Sequence, residues 1–297
     1  MSVHAMSRSS QARPLAVRPR RRWRRRHTRV IIVSVILIPI CLVWIYPFMW
    51  MVSSSFKSND AIFSGLTLFP RVLHLDNFVR AWQGAHIGRY FFNTLFITIA
   101  AVIITLIAVS TMGYVLGRYR FPGKRIVIAL FGAAIFLPEG YTIIPIFDMI
   151  NKLHLASSLW GIILAESGAA HVVAILLFAG YFGQLPKELE ESAIMDGAGF
   201  VRVFTQIYLP LAKPVIATAI ILQVIHSWND FLLPLVITLP RPELRTLSVG
   251  MYAFEGEYFT DWSGMAAAAT ISLAPIIIAF LFLQRYFVES IAGAVKQ

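Results

Sequence analysis

Long apolar stretches alternate with short polar ones along most of the chain. Six of these stretches reach about 20 residues, the length that an α-helix needs to cross the hydrocarbon core of a bilayer. The pattern therefore predicts an all-α polytopic membrane protein with six transmembrane helices. The predicted spans are residues 30–52, 91–117, 126–148, 159–182, 211–238 and 264–284.

The composition agrees with a chain that is almost entirely membrane domain. Hydrophobic residues make up 58% of the sequence and charged residues 14%, and the mean hydropathy is +0.70. A soluble domain carries about 25% charged residues. The net charge of +11 could indicate a nucleic-acid partner. Eight arginines, however, fall between residues 18 and 29, directly before the first apolar stretch. A cytoplasmic flank explains them, and no nucleic-acid partner is expected.

The distribution of basic residues also predicts the topology. The segment 118–125 holds four cationic residues in eight, so it is expected on the cytoplasmic side together with both termini. The resulting plan has five parts. They are a disordered cytoplasmic tail at 1–29, a first span at 30–52, an extracellular segment at 53–87, a transmembrane core at 88–285 and a cytoplasmic tail at 286–297.

One stretch inside the core, residues 186–214, does not have the composition of a membrane span. It predicts two short helices joined by a hinge. Pro186 suits a first helical position. The acidic residues in the first turns are stabilised by the positive end of the helix dipole. Gly197 and Gly199 mark the hinge. In the second helix, apolar residues recur with helical period at Phe200, Val203, Phe204, Ile207 and Tyr208.

The spacing of three short motifs in this stretch resembles a known family. The motifs are Glu191-Ser192-Ala193, Asp196-Gly197-Ala198 and Ile207-Tyr208-Leu209-Pro210. Together they resemble the cytoplasmic loop of bacterial binding-protein-dependent ABC importer permeases, with Ser192 where that family usually has alanine. The resemblance implies the type I importer permease fold and a coupling loop at 186–209 that docks on an ATPase subunit. The implied coupling residues are Glu191, Ser192, Ala193, Asp196, Gly197, Ala198, Phe200, Phe204, Leu209 and Pro210.

Softer features resemble the carbohydrate-uptake permeases of the maltose and glycerol-phosphate type, and in particular their six-span subunit. The resemblance implies a heterodimer with a second permease, two ATPase subunits that bind ATP and magnesium, and an extracytoplasmic binding protein that delivers a sugar. This chain itself is expected to bind no cofactor. The features are Asn77-Phe78, the segment 228–231, the segment 245–247 and the C-terminal segment 284–296.

A few ionisable residues lie within or at the edges of the predicted spans. Such groups are costly in hydrocarbon and normally face protein or a wet cavity. Glu139 follows the helix-breaking Pro138, so it is a candidate for the translocation path. Asn229 and Asp230 could contact either substrate or a neighbouring helix. His171 has no second ligand at helical spacing, so packing is expected there and no metal site is predicted.

No motif indicates catalysis by this chain. The segment from Gly117 to Lys124 imitates a phosphate-binding loop, but five residues instead of four separate Gly117 from Gly123. Two alternatives stay open beside the sugar permease. One is an ABC permease for a solute that is not a sugar. The other is an ion-driven secondary transporter, although the internal repeats typical of that class are not evident.

Overall fold

In the computed structural model, helices and connecting loops make up the described residues, and the single β-bridge there joins Glu255 and Thr260. The all-α class predicted from the apolar pattern is therefore confirmed, whereas the number of spans remains a prediction. The backbone is described for 20–65, 67–156, 158–168, 171–256 and 260–294, and side chains are described from 31 onward within these ranges except 139, 253, 283 and 285–294.

The chain divides into two compact units, residues 1–50 and 51–297. The described part of the first unit is helical and belongs to α1 (Arg20–Ser54), which contains Pro39 and Pro47 and ends four residues into the second unit. Its segment Ile31–Ser54 is apolar and 24 residues long. This is enough to cross a membrane. The predicted tail 1–29 lies outside the described residues except for the helical backbone from Arg20.

Residues 51–297 form the second unit, and its fourteen further named α-helices are mostly shorter than a span. Loops, 3₁₀ turns and two π-helical turns connect them. The helices are α2 (Asn59–Phe63), α3 (Asp76–Val79), α4 (Ile87–Arg118), α5 (Lys124–Ala134), α6 (Ile143–Lys152), α7 (Leu159–Gly168), α8 (Val172–Gln184), α9 (Glu188–Met195), α10 (Phe200–Val203), α11 (Leu209–Leu211), α12 (Lys213–Asn229), α13 (Leu232–Thr238), α14 (Leu247–Gly250) and α15 (Trp262–Ala294).

Three described helices are long and apolar enough to span a membrane, and the number rises to five if each of two bent pairs forms one span. The single helices are α1, α4 and α15, and the pairs are α7 with α8 and Phe200–Leu211 with α12. The predicted third span, 126–148, is divided between α5 and α6. Pro138 explains the division, because proline cannot donate the backbone hydrogen bond that a continuous helix needs.

Helix α4 lies at the centre of the second unit, where it packs against α7, α8 and α12. Its closest approach is to α8, at Gly113 and Gly117. A Cβ atom on Gly113 would lie 2.3 Å from Phe178 Cβ, and one on Gly117 would lie 2.6 Å from the carbonyl oxygen of Ala179. The small-residue spacing in α4 therefore allows two helices to pack backbone to backbone. Movement of the end of α4 is consequently tied to movement of α8.

Polar contacts fasten the segment before α4 to the rest of the second unit. Buried Asn77 donates from Nδ2 to the carbonyl oxygens of Ser55 and Lys57, at 2.9 and 2.8 Å. Arg80 pairs with Asp261 across 3.2 Å. The Arg80–Asp261 pair joins the segment before α4 to the segment before α15. Both segments lie at the end of α4 opposite to Arg118.

Candidate functional site

The segment 186–211, called the hairpin below, begins with α9 and ends that helix in a Schellman motif. The amide of Ala198 donates to the carbonyl of Ala193, and the amide of Gly197 donates to the carbonyl of Ile194, both at 2.9 Å. Gly197 has φ +80°, in the left-handed region that favours glycine. The predicted hinge is therefore confirmed at Gly197. Gly199 differs, because its φ of −77° and ψ of 170° are ordinary extended values.

The second half of the hairpin comprises α10, a π-helical turn at Phe204–Tyr208 and α11. Val203 and Tyr208 are buried, and Phe204 packs against the same hydrophobic cluster. All of this surrounds the ring of Tyr114 on α4, whose centroid lies 5.1 Å from that of Phe204 and 4.9 Å from that of Tyr208. The apolar stripe predicted from helical period is thus the face that holds the hairpin against α4.

A buried ion pair reinforces this packing at the end of α4. Arg118 donates from Nε and Nη2 to Oε2 of Glu190, at 3.1 and 3.0 Å. Its Nη1 donates to the carbonyl oxygen of Leu185, just beyond α8, at 2.8 Å. The side chains of Arg118 and Glu190 are only 4% and 16% exposed. One guanidinium group therefore connects α4, the end of α8 and the hairpin.

Two tyrosine hydroxyls complete the surroundings of Glu190. Tyr119 donates to Oε1 and Tyr208 donates to Oε2, each at 3.1 Å. Burial, together with the hydrogen bond to Glu190, raises the pKa of the Tyr119 hydroxyl. Tyr119 consequently remains protonated at neutral pH and stays a hydrogen-bond donor. The carboxylate of Glu190 thus receives donors from α4, from the residue that follows it and from the π turn.

The opposite face of the hairpin is open. It combines acidic and polar groups with large apolar side chains, of which Met195 is 87% exposed and Val201 68%. Of the ten residues predicted to contact an ATPase, the exposed ones are Glu191, Ser192, Asp196, Gly197, Phe200 and Pro210, the partly exposed ones are Ala198, Phe204 and Leu209, and Ala193 is buried. Phe204 and Ala193 consequently help to build the hairpin. Phe200 is half-exposed, but its ring lies 5.3 Å from that of Tyr114, so it also packs inward. The other exposed residues are available to a partner.

The candidates for a translocation path are not brought together with the hairpin. Asn229 is the last residue of α12, where its Nδ2 donates to the carbonyl of Ile225 at 2.8 Å. Asp230 follows at the break before α13, and its carbonyl accepts from the hydroxyl of Ser248 at 2.6 Å. Glu139 opens a 3₁₀ turn after Pro138, and its side chain lies outside the described residues.

His171 lies at the break between α7 and α8, as expected of a packing histidine. Its Nε2 lies 2.8 Å from the carbonyl oxygen of Glu166 and 3.5 Å from the Thr105 hydroxyl. The described side chains contain no group of three or more histidine, cysteine, aspartate or glutamate residues that could hold a metal ion.

Sequence reasoning missed the role of Glu190. It treated Glu190 as one of several acidic residues that favour a helix N-terminus, and it singled out the neighbouring Glu191 instead. A signal was present, because the segment 118–125 is rich in cations and was expected on the same side as the hairpin. Pairing one of those cations with one acid of α9 would have identified the contact. Only the three-dimensional structure decides which acid faces inward.

The comparisons with known proteins agree with this geometry. The family model described as the inner membrane component of binding-protein-dependent transport systems matches residues 118–293, and the chain belongs to that family. This range begins at Arg118 and includes the whole hairpin.

Individual relatives cover nearly the whole chain. A probable ABC transporter permease of Bacillus subtilis is 37% identical over 281 residues, 94% of this chain and 92% of the relative. The permease of a diacetylchitobiose uptake system of Streptomyces coelicolor is 31% identical over 91% of this chain and 86% of its own length. A chain in the crystal structure of a bacterial ABC transporter that imports the acidic polysaccharide alginate is 25% identical, with a TM-score of 0.75 over 93% of this chain and 100% of its own.

Proposed function

We propose that this protein is a permease subunit of an ATP-driven importer that moves a sugar, an oligosaccharide or a sugar derivative, across the bacterial cell membrane. The observation that carries the proposal is the hairpin, which is firmly held on its inner face and open on its outer face. The family match places the chain among the membrane components of such systems. The sugar follows from relatives described as transporting diacetylchitobiose and alginate.

In this proposal the chain is not catalytic, and its role is to transmit motion and to form part of the path. ATP and magnesium bind to two ATPase subunits, one of which holds the hairpin. A second permease subunit completes the path, and an extracytoplasmic binding protein delivers the sugar. Asn229 and Asp230 at the α12 break, and Glu139 at the Pro138 break, are the residues proposed to line the path.

The proposed topology has six spans with both termini and the hairpin in the cytoplasm. The ion pair between Arg118 and Glu190 supports one part of it, because the basic segment 118–125 and the hairpin lie at the same end of α4 and α8. The positive-inside rule assigns that segment to the cytoplasm. The α5–α6 pair would form the third span around its proline break.

The proposed docking surface is the open face of the hairpin, with Glu191 and Asp196 as its charged groups. Its exposed apolar side chains, Ile194, Met195 and Val201, are 56–87% exposed. Large apolar groups that are rimmed by polar ones are typical of protein–protein contact sites. Ser192, which stands where the family usually has alanine, is small enough to lie in the same contact.

The first test is purification of the tagged chain in a mild detergent from its own cell, with identification of every stoichiometric partner. We expect an ATPase subunit and a second permease. A captured binding protein would then be screened for sugars, and a ligand that is not a sugar would favour the alternative cargo. If the chain is isolated alone and transports in proteoliposomes under an ion gradient, the secondary-transporter alternative replaces this proposal.

The second test uses a matched pair of glycines. Replacing Gly197 by valine forces a β-branched residue into the left-handed region. The cost is about 1–2 kcal/mol of conformational free energy. We therefore expect about a tenfold loss of the ATPase subunit retained on the tagged chain. Gly199→Val adds the same volume where the backbone is extended and the space is open. This variant should retain more of the ATPase subunit than Gly197→Val does. Equal losses in the two variants would show that added bulk, not hairpin conformation, weakens docking.

A further inference from the structure

The acidic residues of α9 occupy different environments. Glu188 and Glu191 are exposed, whereas the side chain of Glu190 is 16% exposed and turned toward Arg118. Successive residues of a helix point in different directions, so one short helix can present one acid to a partner and another to its own protein. The proposed function uses the outward-facing acid. It leaves the inward-facing one without a part in transport.

The contacts of Glu190 connect the end of α4 to both halves of the hairpin. Arg118 is the last residue of α4, Tyr119 follows it, and Tyr208 belongs to the second half of the hairpin. The guanidinium group of Arg118 also lies over the Tyr208 ring, 5.1 Å from its centroid. Hydrogen bonds between ionised groups are stronger than neutral ones, and two donors of the planar guanidinium group converge on one oxygen, Oε2 of Glu190. The carboxylate therefore joins the two halves of the hairpin to α4 directionally.

The contacts of Arg118 also extend to the end of α8. Nη1 of Arg118 donates to the carbonyl of Leu185, one residue beyond the end of α8. Further along, α4 and α8 are in backbone contact at Gly113 and Gly117, where not even one additional methyl group fits. A displacement of the hairpin would therefore carry the ends of both helices with it, as long as the ion pair holds.

From these contacts we infer that Glu190 and Arg118 are positioning residues of the transport cycle, which make the hairpin and α4 move as one rigid body. The inference rests on the proposed function, because it requires an ATPase subunit that displaces the hairpin. Glu190 itself does not contact that subunit. Its effect is exerted through Arg118, Tyr119 and Tyr208.

Three matched glutamate-to-glutamine substitutions in α9 test this role. Glu190→Gln removes the negative charge from the ion pair with Arg118. Glu191→Gln removes a negative charge from the open face of the hairpin, and Glu188→Gln is the control on the same helix. In a Cys41→Ser background, spin labels at Thr205→Cys in the hairpin and Met112→Cys on α4 report their separation. Both labelled positions are exposed. Retention of the ATPase subunit is measured on the same preparations, before and after addition of ATP and magnesium.

In the unsubstituted labelled complex and in Glu188→Gln, we expect a label distance that ATP does not change. In Glu190→Gln, the ATPase subunit should remain bound while ATP changes the distance by about 2–5 Å, within the range of helix displacements in switching proteins. A residue that only stabilises the fold would not make this distance depend on nucleotide. Glu191→Gln should instead reduce retention and leave the distance insensitive to ATP.

Two results would overturn the inference. One is a nucleotide-insensitive distance in Glu190→Gln with the ATPase subunit bound, and the other is a loss of retention equal to that of Glu191→Gln. If Glu190→Gln does not assemble, Arg118→Lys, which keeps the positive charge but cannot make all the hydrogen bonds of the guanidinium group to Glu190 and Leu185, is judged by the same criteria. Absence of an ATPase subunit from the unsubstituted preparation would refute the proposed function itself, a result distinct from these two.

Discussion

Glu190 and Glu166 are both largely withdrawn from solvent, with side-chain exposure of 16% and residue exposure of 0%, and their surroundings are opposite. Glu190 in the hairpin receives hydrogen bonds from Arg118, Tyr119 and Tyr208. Glu166 near the end of α7 is 0% exposed, yet neither of its oxygens has a hydrogen-bond partner among the residues that the structure describes. Ser227 lies beside it, and its hydroxyl accepts from Nε2 of Gln223 at 2.9 Å, which leaves the hydroxyl hydrogen of Ser227 as the nearest donor to Glu166.

The contrast shows that burial alone does not indicate what an acidic residue contributes. A buried charge with good partners resists separation, because removing one partner leaves the other uncompensated. A buried carboxyl group without partners costs free energy in whatever protonation state it adopts. Breaking the ion pair at Glu190 should therefore destabilise this structure, whereas removing the carboxyl group of Glu166 should stabilise it. Substitutions at the two positions are expected to have effects of opposite sign.

The largest effect is expected from Glu190→Met. It keeps the approximate volume but leaves Arg118, which is 4% exposed, without a counter-charge. Loss of one partner from a buried ion pair costs about 3–5 kcal/mol. Denaturant unfolding of the purified protein in detergent, with Glu188→Met as an exposed control on the same helix, measures the change. If both variants unfold at the same denaturant concentration, the ion pair does not hold the hairpin as the geometry indicates.

A smaller effect is expected from Tyr208→Phe, which removes one hydroxyl donor from Glu190 and keeps the ring. Hydrogen bonds to charged groups contribute about 1.5–3 kcal/mol, and neutral ones about 0.5–1.5 kcal/mol. Tyr181→Phe is the matched control, because the Tyr181 hydroxyl donates to the neutral carbonyl of Leu211 at 2.7 Å. The same unfolding assay should rank Tyr208→Phe as the more destabilising. The reverse order would mean that Glu190 is not the charged acceptor.

The sequence predicted the parts of this fold that depend on local pattern. The all-helical class follows from the apolar stretches, and the positive φ at Gly197 follows from its place after α9. Each of these depends on residues close together in the sequence. The division of the third span was only partly foreseen, because Pro138 was recognised as a helix breaker but the stretch was still counted as one span.

The inward part of the candidate site could not be read in the same way. Arg118 and Glu190 are 72 residues apart, and nothing in local pattern distinguishes Glu190 from Glu188 or Glu191. The choice between them depends on the rotation of α9 about its axis, which is set by packing of the hairpin against Tyr114. Tertiary packing, not helix propensity, therefore decides which glutamate of α9 pairs with Arg118.

The smallest effect, and the one opposite in sign, is expected from Glu166→Met. The substitution replaces a carboxyl group that has no partner by an apolar side chain of similar volume. We expect a gain of about 1–3 kcal/mol, the desolvation cost of an unsatisfied polar group, seen as a shift of unfolding to higher denaturant concentration. Ser227→Ala is the control, since a Ser227 hydroxyl that bonded to Glu166 would make both variants destabilising. A loss of stability in Glu166→Met alone would show that the carboxyl group has a partner in solution, and the contrast with Glu190 would then disappear.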